Sequence, residues 1–295
     1  MTLAATADLV AAATARGNAV PAFNVVAVEH AEGIAEGAER AGVAAVLQVS
    51  ENTVRYHGGD LAPLVAACGH IATRSSVALS VHLDHFQNVE LLTEGIACAR
   101  DLGVTSVMVD AAHLPFRDNV ERTRSFAALA HEQGLWVEAE LGEIGGKGNP
   151  HAAGVRTDPD EAVAFAADTD IDGLAVAVGS THAMTTRDAS LDHELISRLA
   201  SRLAVPLVLH GSSGVPDDQL SRAAGGGIAK INIGTALNVA YTAAVRRALS
   251  ADSTATDPRI YQSAGRTAIS DVVAALCRVV TACQPAAQTG QEHRP

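Results

Sequence analysis

The sequence predicts an α/β protein built as a single (β/α)8 TIM barrel with an extra C-terminal helical segment, and three observations point to it. Eight short β-rich apolar runs alternate with Ala-rich helical stretches through most of the 295 residues. The length suits one such domain, which typically needs about 250 residues. No GxGxxG turn follows an early strand, which disfavours the doubly wound open sheet that the same alternation would otherwise allow.

In chain order the runs are AVPAFNV (19–25), VAAVLQVS (43–50), VALSVHLDH (77–85), SVMVDAA (106–112), WVEAELG (136–142), GLAVAVGST (173–181), PLVLHGSS (206–213) and IAKINIG (228–234). Between them lie segments such as EHAEGIAEGAERAG and NVELLTEGIACARDLG, whose apolar residues recur at three- and four-residue spacing, the period of an amphipathic helix. The connection after the fifth run, 143–158, is long and Gly/Pro-rich, the composition of a mobile active-site loop. Beyond the eighth helix, 257–283 reads as a further helical segment. The expected catalytic domain is therefore 1–283, with 284–295 a disordered tail.

Composition narrows the function classes. Hydrophobic residues make up 48% of the chain and aromatics only 3%, so the core must be built from Ala, Val, Leu and Ile. The net charge of −12, with basic residues scattered singly, leaves no stripe for nucleic acid or for an anionic membrane. An anionic substrate would need a site that is positive only locally. Cys68, Cys98, Cys277 and Cys283 form no CxxC pair and read as reduced structural thiols. The segment 1–15 carries Asp8 and lacks a basic region, which argues against a signal peptide, and no apolar run has membrane-spanning length. A cytoplasmic enzyme is expected.

In such barrels the active site forms at the carboxyl ends of the strands, so polar residues that end apolar runs are informative. The third run ends in His82-Leu83-Asp84-His85, the sixth is followed by His182, and the seventh contains His210. One histidine there is most simply a hydrogen-bonded strand end, but three at one end of a barrel can converge on a zinc ion and leave a position open for substrate. Asp84 and His85 are neighbours and would face opposite sides of a regular strand. Both can serve one site only if the strand curls or bulges, which leaves His82 a supporting role. Gly211-Ser212-Ser213-Gly214 and Asn232-Ile233-Gly234-Thr235 offer small residues, hydroxyls and backbone amides near helix N-termini, where phosphate binds in this fold. Asp110 ends the fourth run, and Glu138 and Glu140 share one face of the fifth; structural carboxylates and metal or water ligands both fit them.

Taken together, PAFNV (21–25), LDH (83–85), SVMVDAAHLPF (106–116), VEAELGEIGG (137–146), GSTH (179–182), LVLHGSSG (207–214) and KINIGT (230–235) resemble the class II fructose-bisphosphate and tagatose-bisphosphate aldolases, over about 9–280. The resemblance implies reversible, metal-dependent cleavage of a phosphorylated ketose to dihydroxyacetone phosphate and an aldehyde. Asp84 would be the acid/base. His85, His182 and His210 would hold zinc, or another divalent metal in its place, with Asp110 and Glu140 holding it in an alternative, inactive position. Ser213, Asn232 and Thr235 would contact phosphate beside Gly211, with Asn24 and Ser50 as further substrate contacts. Family members are homodimers, homotetramers or larger assemblies, and many bind a monovalent cation near the phosphate.

The chain departs from this pattern in three places. Lys147-Gly148 stands where an acidic pair usually follows the double glycine, and the nearest carboxylate, Glu143, precedes the glycines. Ala183 replaces a glycine and Thr185 a tyrosine. These changes keep metal and phosphate binding while opening two alternatives: a different sugar phosphate, or a non-catalytic sugar-phosphate sensor. A Schiff-base aldolase has only Lys147 and Lys230 to draw on, and Lys230 is expected to lie at the start of the eighth strand, far from its catalytic end. A barrel hydrolase would carry an HxH pair on the first strand, which here reads AFNV.

Overall fold

A computed structural model of the chain describes residues 3–141, 155–181 and 184–282. All eight apolar runs form strands. Helix α1 (Thr6–Thr14) precedes β1 (Val20–Asn24); α2 (Val28–Ala41) leads to β2 (Ala45–Ser50). Then come α3 (Glu51–Tyr56), α4 (Ala62–Arg74), β3 (Leu79–Phe86), α5 (Val89–Ala97), α6 (Ala99–Leu102) and β4 (Ser106–Val109). The second half runs α7 (Phe116–Glu132), β5 (Trp136–Glu140), α8 (Pro159–Thr169), β6 (Gly173–Ala175), α9 (His193–Arg202), β7 (Leu207–Leu209), α10 (Asp217–Gly225) and β8 (Ile228–Ile233), before α11 (Thr235–Ala251) and α12 (Pro258–Val280). The strands are parallel and close in sequence order, β1 pairing with β8.

Some helices begin at a side-chain cap that the sequence supplies. Asp158 accepts from the Asp160 and Glu161 amides, Asp257 from that of Arg259, and each precedes a proline at the first helical position. The expected extra helical segment is α12, which lies against α2 at small residues. A Cβ on Gly37 would sit 2.6 Å from the Ser270 carbonyl oxygen and 2.7 Å from Val273 Cβ, so only glycine permits this approach.

Strand alternation sorts the core into two compartments. Outward residues such as Leu47, Val49, Val81, Leu83, Val107, Leu209 and Ile231 join the helices in the main apolar cluster. The inward set changes character along the barrel axis. Near the amino end, Val20, Ala22, Val46, Trp136 and Val208 pack against Leu9 and Val10 of α1, which plugs the barrel. Toward the carboxyl end the inward residues are Gln48, His82, Asp84, Glu138, His210, Lys230 and Asn232, all buried. Burying so many polar groups demands that they satisfy one another, and that network forms the site.

Candidate active site

The site begins with an irregularity in β3. Leu83 pairs with Val107 but Phe86 pairs with Val109, so the register slips over Asp84 and His85. His85 takes a φ of 54°, left-handed backbone that a non-glycine residue adopts at some cost. This is the bulge that the adjacent Asp84 and His85 require. It turns both side chains toward the barrel mouth, where His85 Nε2 stands 4.0 Å from Asp84 Oδ1.

His85, Glu140 and His210 come together from β3, β5 and the residue after β7, each offering one donor atom within 4.8 Å of the others. Glu140 Oε2 lies 3.8 Å from both His85 Nδ1 and His210 Nδ1, and the two imidazole rings meet edge to face at 4.7 Å. Two imidazoles and a carboxylate in a buried cluster are a donor set that suits a divalent ion such as zinc. Asp110 joins the cluster through a 2.8 Å bond from His85 Nδ1, and its Oδ2 also accepts from Gln87 Nε2 at 3.1 Å. His182 lies outside the described residues, as do Glu143, Lys147, Gly148, Ala183 and Cys283.

Beneath the cluster sits a charged network that was only partly visible in the sequence. Glu138 Oε1 accepts from His210 Nε2 at 2.8 Å, and its Oε2 accepts from Lys230 Nζ at 2.7 Å. Lys230 Nζ also donates to Asn232 Oδ1 at 2.8 Å. Lys230 is thus not remote from the catalytic end, as its place early in β8 suggested. Its long side chain runs up inside the barrel and is fully buried. Burial alone would push the Glu138 carboxyl up, but Lys230 and the histidines beside it outweigh that and hold it well below the usual carboxylate range. His82 Nδ1 pairs with Ser106 Oγ at 2.9 Å, and burial beside Lys230 drives its pKa down to about 3, so it stays neutral and structural.

Asp84 is aimed by a short relay. Gln48 Nε2 donates to Asn24 Oδ1 at 3.0 Å, and Asn24 Nδ2 donates to Asp84 Oδ2 at 2.8 Å. Asp84 Oδ1 is buried and accepts no hydrogen bond among the described residues. Burial favours the protonated acid here, but His85, His82, His210 and Lys230 together hold the Asp84 pKa below its ordinary value. It is a carboxylate with one committed oxygen and one left for another donor.

Asp84 and His85 open into a cavity of about 400 Å³, which Asn24, Ser50, Gly211, Ser213, Asn232 and Thr235 also line. Gly211 (φ 67°) turns the chain so tightly that a Cβ there would lie 2.6 Å from the Thr181 carbonyl carbon. Ser213 Oγ accepts from the Ala236 amide at 3.1 Å, fixing this loop to the N-terminus of α11, and Gly234 and Thr235 bring that terminus to the cavity wall. Ser50 Oγ caps α3 through the Thr53 amide. Glu51, which sequence reasoning passed over, accepts from the Gln87 and Asn88 amides at 2.6 and 2.7 Å and ties the β2 and β3 loops together. The second cavity wall therefore rests on β2 and β3.

Comparison with known proteins gives one consistent answer. The family model described as fructose-bisphosphate aldolase class-II matches residues 4–284. The solved structure of the YdjI aldolase from Escherichia coli K12 is similar at 29% identity and a TM-score of 0.78, covering 95% of this chain and 97% of that one. A candidate fructose-1,6-biphosphate aldolase from Coccidioides immitis shares 25% identity at a TM-score of 0.79, covering 93% and 94%. A fructose-bisphosphate aldolase from Campylobacter jejuni, at 18% identity and a TM-score of 0.77 over 95% of each chain, shows the shared fold.

Proposed function

The chain belongs to the class II fructose-bisphosphate aldolase family, and we propose that it cleaves a ketose phosphate reversibly to dihydroxyacetone phosphate and an aldehyde. One observation carries the reading. A buried carboxylate with one uncommitted oxygen, Asp84 Oδ1, stands 4.0 Å from His85 Nε2, at the edge of the His85, Glu140 and His210 cluster. A base beside a metal cluster, at the floor of a polar cavity, is what retro-aldol cleavage needs.

His85 and His210, with His182 or Glu140, would hold zinc, and Asp110 with Glu140 offers it a second position. The ion supplies a Lewis acid for the substrate's ketone oxygen. Asp84 Oδ1 accepts the proton of the hydroxyl carried by one carbon of the scissile bond. That bond breaks as the hydroxyl oxygen forms the aldehyde carbonyl; its electron pair passes toward the ketone, and a proton taken up from water at the freed carbon completes dihydroxyacetone phosphate. In the reverse direction Asp84 returns the proton. Gly211, Ser213, Asn232 and Thr235 would bind the phosphate, using hydroxyls and amide N–H groups rather than lysines, in keeping with a strongly acidic chain. Ser50 would face the sugar from the opposite wall, while Asn24 acts on substrate chiefly through Asp84. The same reading includes a monovalent cation near the phosphate and a cytoplasmic homodimer or homotetramer.

The test is coupled detection of dihydroxyacetone phosphate released from fructose, tagatose and other ketose phosphates, with and without chelator. Cleavage that requires metal and is lost in Asp84→Ala supports the reading and ranks the substrates. Tight binding without turnover by folded, zinc-loaded protein would instead favour a sugar-phosphate sensor.

A further inference from the structure

We propose that Lys230 is a positioning residue that sets two functional groups at once: the donor face of Asn232 toward substrate and the metal-binding nitrogen of His210. The inference rests on the aldolase reading above, and it follows from hydrogen-bond valence. An ammonium has donors only, so the 2.8 Å contact with Lys230 Nζ identifies the facing atom of Asn232 as its oxygen. The amide nitrogen must then point the other way. Asn232 is 7% exposed, lines the cavity, and its Nδ2 has no hydrogen-bond partner among the described residues. A buried N–H2 group aimed at the cavity is a preformed donor for a substrate oxygen.

The same ammonium anchors the carboxylate on the other side. Glu138 Oε2 takes the 2.7 Å bond from Lys230, leaving Oε1 to accept from His210 Nε2 at 2.8 Å. An ionised carboxylate only accepts, so His210 carries its proton on Nε2 and presents the Nδ1 lone pair toward Glu140, where a metal would sit. Lys230 and Glu138 are both fully buried, so neither can exchange its partner for water. Lys230 thereby couples the orientation of a metal ligand to that of a substrate donor through one buried ion pair.

The experiment measures zinc affinity by chelator competition, and dihydroxyacetone phosphate affinity by calorimetry on zinc-loaded protein. Lys230→Met should weaken zinc binding by about 10- to 100-fold, the usual effect of losing a group that orients a ligand. It should also weaken dihydroxyacetone phosphate binding about tenfold, and this second loss should vanish in an Asn232→Ala background if Lys230 acts through Asn232. Asn232→Asp keeps an acceptor for Lys230 but lacks the N–H donor, so it should lose phosphate affinity while keeping normal zinc affinity. A folded Lys230→Met protein that binds both ligands like wild type, or whose phosphate loss adds in full to that of Asn232→Ala, overturns the proposal. If Lys230→Met alone does not fold, the paired Glu138→Met, Lys230→Met protein removes both charges together, and wild-type affinity in it would be equally contrary. A wild-type protein that binds neither zinc nor dihydroxyacetone phosphate would instead remove the aldolase reading itself, and this inference with it.

Discussion

Asn24→Ala is the substitution that most sharply probes how Asp84 is held. The change removes the 2.8 Å donor to Asp84 Oδ2 and strands Gln48 Nε2, which now donates to Asn24 Oδ1. A hydrogen bond to a charged group contributes about 1.5–3 kcal/mol. Asp84 is only 2% exposed, so water can restore little of it. With about 1.4 kcal/mol per tenfold in rate, loss of most of that bond in the transition state lowers kcat/KM by about 10- to 100-fold. Zinc content should not change, because the side chain of Asn24 is hydrogen-bonded to Asp84 and Gln48, neither of which is a proposed metal ligand. The assay is the coupled release of dihydroxyacetone phosphate, run in wild type, Asn24→Ala, Asp84→Asn and the double variant. In the Asp84→Asn background the Asn24 substitution should be nearly silent, since the group it orients is gone. Activity within twofold of wild type for Asn24→Ala, at full zinc occupancy, would refute the relay.

Other consequences follow from the interior. His82 has a folded pKa lowered to about 3 from 6.5, so it contributes stability that is full above pH 6.5 and drains away as pH falls toward 3. Glu138, also lowered, adds a loss below its ordinary 4.5, so urea midpoints of the chelator-treated protein should fall between pH 7 and 5 and more steeply below. A midpoint flat down to pH 5 would contradict this. Burial raises the Cys68 and Cys277 thiols to about 12 from 9.0, so both should resist iodoacetamide at pH 8 until urea unfolds the chain. The same raised values give stability that is full below pH 9 and lost as pH climbs toward 12. Gly37→Ala should cost about 1–3 kcal/mol by forcing α2 off α12, seen as a lower unfolding midpoint; an unchanged midpoint would mean the helices part freely.

Much of this architecture is legible in the chain because β-branched runs and helical periods alternate without interruption. The strand count and the α12 extension follow from that pattern. The strand ends do not: β6 and β7 keep only three residues each in the ladder, whereas their apolar runs continue into the loops that follow. The β3 bulge is readable, since Asp84 and His85 are adjacent and a regular strand cannot aim both at one site. Lys230 was expected far from the catalytic end because it stands early in β8, but its side chain spans the distance its backbone leaves. The two-residue spacing that puts it on the same inward face as Asn232 was present in KINIG, but its carboxylate partner lies 92 residues away in sequence, across the barrel. Such pairing is a property of barrel closure and leaves no local signal.

In the proposed reaction cleavage depends on one metal ion, held by His85 and His210 with His182 or Glu140. The most direct measurement strips the protein with chelator and titrates zinc back while following condensation of dihydroxyacetone phosphate with a panel of aldehydes. Activity should be absent at the start, rise linearly, and level off at one zinc per chain, with no recovery in His210→Ala. Undiminished condensation in the metal-free protein, or full recovery in His210→Ala, would mean that no metal at this cluster takes part in the reaction.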